Sequence, residues 1–517
     1  MALSPRSTTL IVTLVAALAA SCAIMRLERK VVPPAHVATL DNASPYLKAH
    51  LKGGHVYVLS AWRADSGGAL IVGRGHLLDA NRAVVAEGEV RLPLDSVALF
   101  ETNVQRPGGA RTALTVMTGI TAAVTVVCLT NPKACFGSCP TFYAADSAGE
   151  LLQAEGFSAS IAPALEATDV DMLYRAHPRG REFRLRLTNE ALETHVIRRA
   201  DVLAVRRPAG GRVFTTPGGA FLGAVAFIAP SRCTAAEGDC RATVRSMDGR
   251  ERFSLADSTD LAARETMDLE FESESVPTGT VGLVIGARQS LMTTYLVYQA
   301  LAFLGRDATR WLATLETGGP AAREAAGGLG RALGRIEVLV PDGSGGWTPA
   351  GAVGETGPLA VDTKVVPLPA ATERPVRVRL RLTRGLWRLD YVALAALGDS
   401  IPVQRLSPER ARRGGRDDPA ARAALVDPAR ALTTLPGDEY ELVYRLPPEP
   451  DGYELFLEAR GYYLEWMRRE WLAEENPPRA LQMVLDPAGA LRALAPEFKR
   501  LEPDIERTFW ESRYVAR

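Results

Sequence analysis

The sequence has no excess of charge of either sign, few histidines and cysteines, and none of the short motifs that mark common enzymes. Lysine plus arginine and aspartate plus glutamate both number 60 in 517 residues, so the formal net charge is zero. Nucleic-acid binding normally needs a basic excess, and we therefore expect no nucleic-acid partner. The 47% of hydrophobic residues and the length predict several folded domains rather than a disordered chain.

Motifs for metal, nucleotide and nucleophilic chemistry are missing from the sequence. It contains no HExxH, no G-x-S-x-G and no P-loop. His55 and His76 could meet across neighbouring strands, but such a pair is more often a surface or core feature than a metal site. We predict no catalytic set, no metal and no cofactor. A glycosidase carboxylate pair stays open, because carboxylates cannot be paired from sequence alone.

The N-terminus carries the most specific signal in the chain. Arg6 precedes the apolar run LIVTLVAALAA, which is too short for a comfortable membrane span and ends in small residues, as an export signal does. The stretch LAASC, residues 18–22, resembles the lipobox of bacterial lipoproteins. This resemblance implies that Cys22 becomes the lipidated first residue of the mature chain, whereas an ordinary signal or an uncleaved anchor is the alternative. Ala23 favours the outer membrane under enteric-type sorting rules.

The other cysteines form two close pairs and one odd residue, Cys128. In an oxidising compartment the simplest pairing joins Cys135 to Cys139 and Cys233 to Cys240. Redox and zinc roles for the first pair are weaker, since no helix follows to lower a thiol pKa and no second ligand pair lies nearby. The stretch CFGSCPTFY resembles a Cys-aromatic-Gly-x-Cys-Pro signature of uncharacterised exported bacterial domains, which implies a structural turn and no reaction.

Residues 112–130, TALTVMTGITAAVTVVCLT, form a second apolar stretch without a charge. Its threonines at 115, 118, 121 and 125 fall on one side of a helix of 3.6 residues per turn, which predicts a helix with a threonine stripe. Such a helix could be buried or lie against a membrane, or it could span the bilayer. A span would place the rest of the chain in the cytosol, where the cysteine pairs would be reduced.

Most of the remaining chain alternates short β-like runs with turns. In RPVRVRLRLTRGLWRLDYVAL, valine and leucine alternate with Arg377, Arg379 and Arg381, which predicts a strand with one buried face. The succession of a strand, a Gly-rich hairpin and paired strands over 335–395 resembles the jelly-roll sandwiches of the galactose-binding-like superfamily. The resemblance implies a fold rather than a ligand. Trp347 and Trp387 lie in this region as a possible ligand platform, with a role as core anchors the alternative.

Together these patterns predict a mainly β protein with α segments, an α+β fold. The expected parts are a lipoprotein signal peptide at 1–21, a tether at 22–54, a small antiparallel β-meander at 55–108, the hydrophobic Thr-striped helix at 109–130, a Cys-turn and β-rich domain at 131–287, a buried helix and Gly/Ala linker at 288–334, a jelly-roll-like β-sandwich with a charged insertion at 335–470, and C-terminal helices at 471–517.

The expected function is that of an envelope-anchored bacterial lipoprotein, periplasmic or surface-facing, that binds or scaffolds. Its predicted partners are the membrane, through the N-terminal lipid, and an envelope protein or a glycan. The alternative is an exported enzyme, acting on a glycan or on thiols, that carries the sandwich as an accessory carbohydrate-binding module.

Overall fold

The computed structural model describes most of the chain beyond residue 24. The described residues are 25–32, 34–44, 46–51, 55–65, 69–78, 84–107, 139–145, 150–178, 180–191, 193–272, 279–305, 308, 311, 315, 319–370, 375–465 and 474–511. The chain divides into two compact units, residues 1–130 with 467–473 and residues 131–466 with 474–517. The predicted helix at 109–130 lies outside the described residues.

The first unit contains sheet 1, an antiparallel sheet with the strand order β1-β6-β2-β3-β4-β5. Its strands are β1 (Met25–Val32), β2 (Leu47–Leu51), β3 (Val56–Ala64), β4 (Leu70–Leu78), β5 (Val84–Pro93) and β6 (Val97–Pro107), with 3₁₀ helices at Pro34–Thr39 and Leu94–Ser96. The prediction of a tether at 22–54 is therefore wrong, because this segment supplies two strands of the sheet. β2 pairs with both β3 and β6, and its Leu47 and Ala49 are fully buried in the core of the sheet.

In the second unit, sheets 2 and 3 pack face to face as a β-sandwich. Sheet 2 has the order β26-β25-β28-β10-β7-β8, and sheet 3 has the order β24-β11-β29-β9 with β27 also paired to β11. The strands are β7 (Thr141–Ala145), β8 (Glu150–Glu155), β9 (Ala167–Met172), β10 (Glu182–Thr188), β11 (Glu193–Arg206), β24 (Val403–Leu406), β25 (Arg410–Arg413), β26 (Arg416–Asp417), β27 (Leu432–Thr434), β28 (Glu439–Arg445) and β29 (Tyr453–Glu465). Buried Phe142, Leu187, Ile197 and Leu457 fill the space between the two sheets.

Sheet 4 is a closed ring of five strands in the order β13-β12-β21-β18-β23, because β13 also pairs with β23. The strands are β12 (Arg212–Thr215), β13 (Phe221–Ile228), β18 (Val281–Gln289), β21 (Asp362–Pro367) and β23 (Trp387–Ser400), with β16 (Arg252–Phe253) beside β23. Val205 and Phe456, on the second face of sheet 3, pack with Phe214 and Val284 of the ring. Sheet 3 is therefore a middle layer between sheet 2 and the ring.

Sheet 5 has the order β15-β14-β17-β22-β19-β20. Its strands are β14 (Arg232–Ala235), β15 (Gly238–Asp239), β17 (Arg264–Phe271), β19 (Ile336–Pro341), β20 (Trp347–Val353) and β22 (Val376–Thr383). The predicted alternation in β22 is confirmed, since Val378 and Leu380 are fully buried while Arg379 and Arg381 reach Asp268 and Glu337 on the other face.

Three helices of the described residues begin at a side-chain N-cap followed by proline, a signal that is visible in the sequence. The helices are α1 (Arg241–Val244), α2 (Met292–Leu304), α3 (Gly319–Ala326), α4 (Gly328–Leu333), α5 (Pro419–Val426), α6 (Pro477–Leu485) and α7 (Pro487–Glu511), with 3₁₀ helices at Pro163–Leu165 and Pro450–Gly452. Asp486 accepts from the Gly489 amide at 2.9 Å before α7, a helix N-cap with proline in the first position. Helix α2 is buried as predicted, and its Tyr295 ring packs against Phe498 of α7.

The predicted mainly β, α+β fold class is confirmed, but the expected domain boundaries within residues 131–517 need correction. The segment 335–470 is not a separate sandwich, since its strands are divided among sheets 2 to 5 and pair with strands from 131–287. The Gly/Ala linker expected within 288–334 contains α3 and α4. In the part of the chain that the structure describes, no helix is both long and apolar enough to cross a membrane.

Candidate functional site: an acidic seam

A group of carboxylates lies where the sandwich meets the ring. Strands β8 and β9 are edge strands of sheets 2 and 3, and β9 also packs against β21 of the ring. The segment 354–361, here the 354–361 loop, leads into β21. We use the name acidic seam for Glu155, Asp169, Asp171, Glu355, Asp362 and Lys364. Glu155 and Asp362 are buried, Glu355 is exposed, and the other members are half-buried.

The period of two in β9 decides which way its aspartates face. Val170 and Met172 pack into the core that sheet 3 shares with the ring. Asp169 and Asp171 therefore lie on the other face of the strand, towards the edge of sheet 2. The turn before β9 contains Phe157, a buried residue with φ of 41°, a backbone conformation that bulky side chains rarely adopt. Its amide donates to Asp169, which ties this strained turn to the seam.

Lys364 is the one lysine of the seam. Its Nζ lies 2.7 Å from Asp362 Oδ2 and donates to the carbonyl of Val170 at 2.8 Å. The other oxygen of Asp362 accepts from the amides of Met172 at 3.1 Å and Thr363 at 2.7 Å. The lysine thus satisfies one carboxylate directly, and the remaining acids share its charge at longer range.

Glu155 is the most deeply buried acid of the seam, and its carboxyl group is not fully hydrogen-bonded. Its side chain is 2% exposed, and Oε2 accepts from the Leu359 amide at 3.2 Å. Its Oε1 is buried and has no hydrogen-bond partner among the described residues. Gly357 lies directly against this oxygen, since a Cβ at that position would sit 1.4 Å from Oε1, and its φ of +75° also favours glycine. The loop is fitted closely over the Glu155 carboxyl group.

Burial and crowding make these acids weak. Burial raises the pKa of Glu155 well above its usual value, and nearby Glu355 adds to the effect. Burial and then Glu355 raise the pKa of Asp169 to about 7. Burial and then Asp362 raise the pKa of Asp171 well above its usual value. Burial alone would lower the pKa of Lys364, but Asp362 and Asp171 outweigh it and raise that pKa. Burial and mutual repulsion therefore favour the protonated forms of Glu155, Asp169 and Asp171.

A second polar cluster lies at the end of the sandwich core. His195 Nε2 lies 3.1 Å from Glu193 Oε2, and both side chains are fully buried. The next strand places Tyr463 opposite His195 and Glu465 opposite Glu193, and Glu465 accepts from the Tyr298 hydroxyl at 2.6 Å. Neither this cluster nor the seam is visible as a motif in the sequence.

The expected Cys135–Cys139 bridge is not formed, because Cys139 is a free, buried thiol that packs in the sandwich core. Burial, followed by nearby Glu155, raises the pKa of its thiol well above the usual value. A reactive cysteine needs exposure and a lowered pKa, and Cys139 has neither. Cys135 and the proposed lipidation site Cys22 lie outside the described residues. The expected Cys233–Cys240 disulfide is formed, with Cα atoms 5.2 Å apart.

The two tryptophans offered as a ligand platform differ in exposure. Trp387 is 1% exposed and belongs to the core, which corrects the platform prediction for this residue. Trp347 is half-buried, and the Arg379 guanidinium lies 4.3 Å from its ring centre. One face of the Trp347 ring is therefore already covered by a cation.

His55 and His76, which could have met across neighbouring strands, are not paired. The strand register places Val58 opposite His76, and the histidine Nδ1 lies 3.7 Å from Glu87 Oε2. Within the described ranges, no group of three or more His, Cys, Asp or Glu side chains is arranged to hold a metal ion.

Local signals of the seam exist but do not reveal it. The stretch TDVD places two aspartates on one face of a short strand, and VDTK repeats the alternation at the start of β21. Nothing in either stretch indicates that the two strands pack together. No protein-family model matches the chain, and no curated protein or solved structure matches it either.

Proposed function

We propose that the protein is an envelope-anchored bacterial lipoprotein that serves as a binding or scaffolding protein for an envelope protein partner. The observation that carries this proposal is the position of the lipobox-like LAASC, which ends at Cys22, three positions before β1 begins at Met25. Three extended residues span about 10 Å. An acyl group on Cys22 would therefore hold sheet 1 close to the membrane surface.

The cysteines support residence outside the cytosol. Cys233 and Cys240 are joined, and disulfides persist in oxidising compartments. Cys139, the remaining described cysteine, is buried and so is protected from solvent oxidants. This arrangement suits an exported protein and does not suit a thiol-exchange enzyme.

The outer face of sheet 2 supports a protein partner rather than a polyanion. Its arginines are paired with carboxylates of the same sheet: Arg184, Arg186, Arg410 and Arg412 lie beside Glu150, Glu182, Glu439 and Glu441. Charges that are already neutralised locally do not attract a polyanion from a distance. The burial of Trp387 also weakens the case for a glycan.

The first test is metabolic labelling with an alkyne fatty acid, followed by membrane fractionation. The wild-type protein should carry the label and sediment with membranes, and Cys22→Ser should lose the label. A double Cys233→Ser and Cys240→Ser variant is the matched control, since it also removes cysteines but should stay labelled. A Cys22→Ser protein that still carries the fatty acid would contradict the proposal.

The second test concerns the compartment. Thiol alkylation in freshly lysed cells, read by mass spectrometry, should label Cys233 and Cys240 only after reduction. Cys139 should react without reductant but only after denaturation, because it is buried. Free reactivity of Cys233 and Cys240 before reduction would place this part of the chain in a reducing compartment and contradict the export step.

A further inference from the structure

We infer that the acidic seam is a proton-operated latch, in which protonated carboxyls keep the 354–361 loop closed on β8 and loss of those protons opens it. This inference is independent of the lipid anchor. It depends on a cluster of acids, on one buried carboxylate oxygen without a hydrogen-bond partner among the described residues, and on the fit of the loop over that oxygen.

Two hydrogen bonds between the loop and the sandwich involve seam acids. The Leu359 amide donates to Glu155, and the Ser158 hydroxyl donates to Glu355. Strand β18 of the ring also holds the loop, since the Gln289 amide donates to the carbonyl of Gly357 at 2.8 Å and Arg288 Nη1 donates to the carbonyl of Pro358 at 2.7 Å. Gly357 and Glu155 are in close contact, because a Cβ on Gly357 would overlap the Glu155 carboxyl group. A change of charge at Glu155 therefore acts directly on the loop.

The charges around Glu155 come from every element that packs on the seam. They are Asp169 and Asp171 of β9, Glu355 of the loop, Asp362 and Lys364 of β21, Arg288 of β18, and the Cys139 thiol. Arg288 is bound to Glu251 at 2.6 Å and to Glu506 at 3.3 Å, and Lys364 is bound to Asp362. The two cations are thus already engaged, and full ionisation of the seam would leave a surplus of negative charge around the buried carboxyls of Glu155 and Asp362.

Protons relieve this surplus in the closed state. A protonated Glu155 can also donate a hydrogen bond, which an ionised one cannot. When the loop opens, water reaches the carboxyls and their pKa values fall towards ordinary ones, so protons are released. Linkage then requires the open population to grow as the pH rises, about tenfold per pH unit for each proton released.

The experiment is hydrogen exchange of the full chain between pH 5 and 8, with each amide rate divided by its intrinsic rate at that pH. The opening constant of the 354–361 loop should rise at least about tenfold per pH unit. Amides in the core of β22 should show no such slope. A loop whose opening constant does not depend on pH would overturn the inference.

Variants assign the effect to the seam. Glu155→Gln and Asp171→Asn each remove one proton-binding group. In each variant the rise of the opening constant with pH should therefore be smaller by a factor of about ten per pH unit. Glu150→Gln, at the exposed end of the same strand, is the matched control and should keep the wild-type slope. Seam variants that keep the full slope would also overturn the inference.

A measurement on the wild-type protein covers the case in which a variant fails to fold. Infrared spectroscopy detects the C=O stretch of protonated carboxyls, which should persist between pH 6 and 7 and disappear as the pH rises further. If no such band exists in that range, the closed seam does not hold protons and the latch is excluded.

Discussion

Glu155 and Glu454 are buried to the same depth in the same unit, at 2% and 1% exposure, but their surroundings are opposite. Glu454 receives two arginines, with Arg212 Nη2 at 2.7 Å and Arg207 Nη2 at 3.1 Å from Oε1. Glu155 receives one backbone amide and lies among other acids. Burial by itself therefore does not decide whether a carboxyl group is charged, because the neighbouring charges do.

The largest expected effect comes from losing the arginine clamp, the name used here for the contacts of Arg207 and Arg212 with Glu454. Glu454→Gln should lower the free energy of unfolding by about 2–4 kcal/mol at pH 7, since two guanidinium groups lose their carboxylate but still reach some water. Urea unfolding of the full chain, followed by exchange of β29 amides, measures it. Glu449→Gln, whose exposed carboxylate lies 3.7 Å from Arg206, is the control and should change little. A loss below about 1 kcal/mol would contradict the clamp.

The next effect should come from the lysine of the seam. Lys364→Gln should destabilise the protein by about 1–3 kcal/mol at pH 8 and by less at pH 5, where protons replace the missing charge. Thermal unfolding at the two pH values compares them. Lys499→Gln, which removes a lysine that binds Glu502 and the carbonyl of Ala256, should cost the same at both. A loss for Lys364→Gln that is equal at pH 5 and 8 would argue against protonated acids.

A smaller effect of opposite sign is expected at Asp169. Its folded-state pKa of about 7 lies above the unfolded value, so its stabilising proton is present at low pH and is lost as the pH rises through 7. Asp169→Asn should therefore be more stable than wild type by about 1–2 kcal/mol at pH 8, after allowance for partial exposure, and equal to it near pH 4. Asp268→Asn, which loses its contact with Arg379, should show no gain at any pH. Urea midpoints at the two pH values decide the sign.

The smallest effect is expected for an exposed pair of the same chemistry as the clamp. Arg445 Nε lies 2.9 Å from Glu409 Oε1, and both side chains are about half exposed or more. Arg445→Gln should change the free energy of unfolding by less than about 0.5 kcal/mol, and added salt should remove the difference. A loss of stability as large as that of Glu454→Gln would mean that burial does not strengthen an arginine–glutamate contact.

Elements with a strong local period could be predicted. Strand β22 follows from Arg377, Arg379 and Arg381 alternating with apolar residues, and helix α2 follows from its apolar run. The start of α7 follows from Asp486 and Pro487. Helices α3 and α4 were not predicted from the Gly/Ala-rich stretch, because glycine lowers helix propensity. Both nevertheless form there within the fold. The lipid anchor at Cys22 remains a prediction.

The antiparallel meander expected at 55–108 contains neighbouring strands of sheet 1. Elsewhere, which strands share a sheet could not be predicted, and neither could the site. Asp169 and Asp362 meet although 193 positions separate them, because β9 and β21 belong to different sheets that pack together. Trp387 is buried because β23 lies in the ring, which its local sequence does not reveal.

The sequence by itself determined the charge balance, the strands and helices with clear periods, the helix caps and the short Cys233–Cys240 loop, because each of these depends on residues close along the chain. Only the tertiary structure decided the division of residues 335–470 among four sheets, the free thiol at Cys139 and the gathering of five carboxylates around Lys364. Those features depend on contacts between distant segments, and an acid's pKa depends on which charges those contacts bring near it.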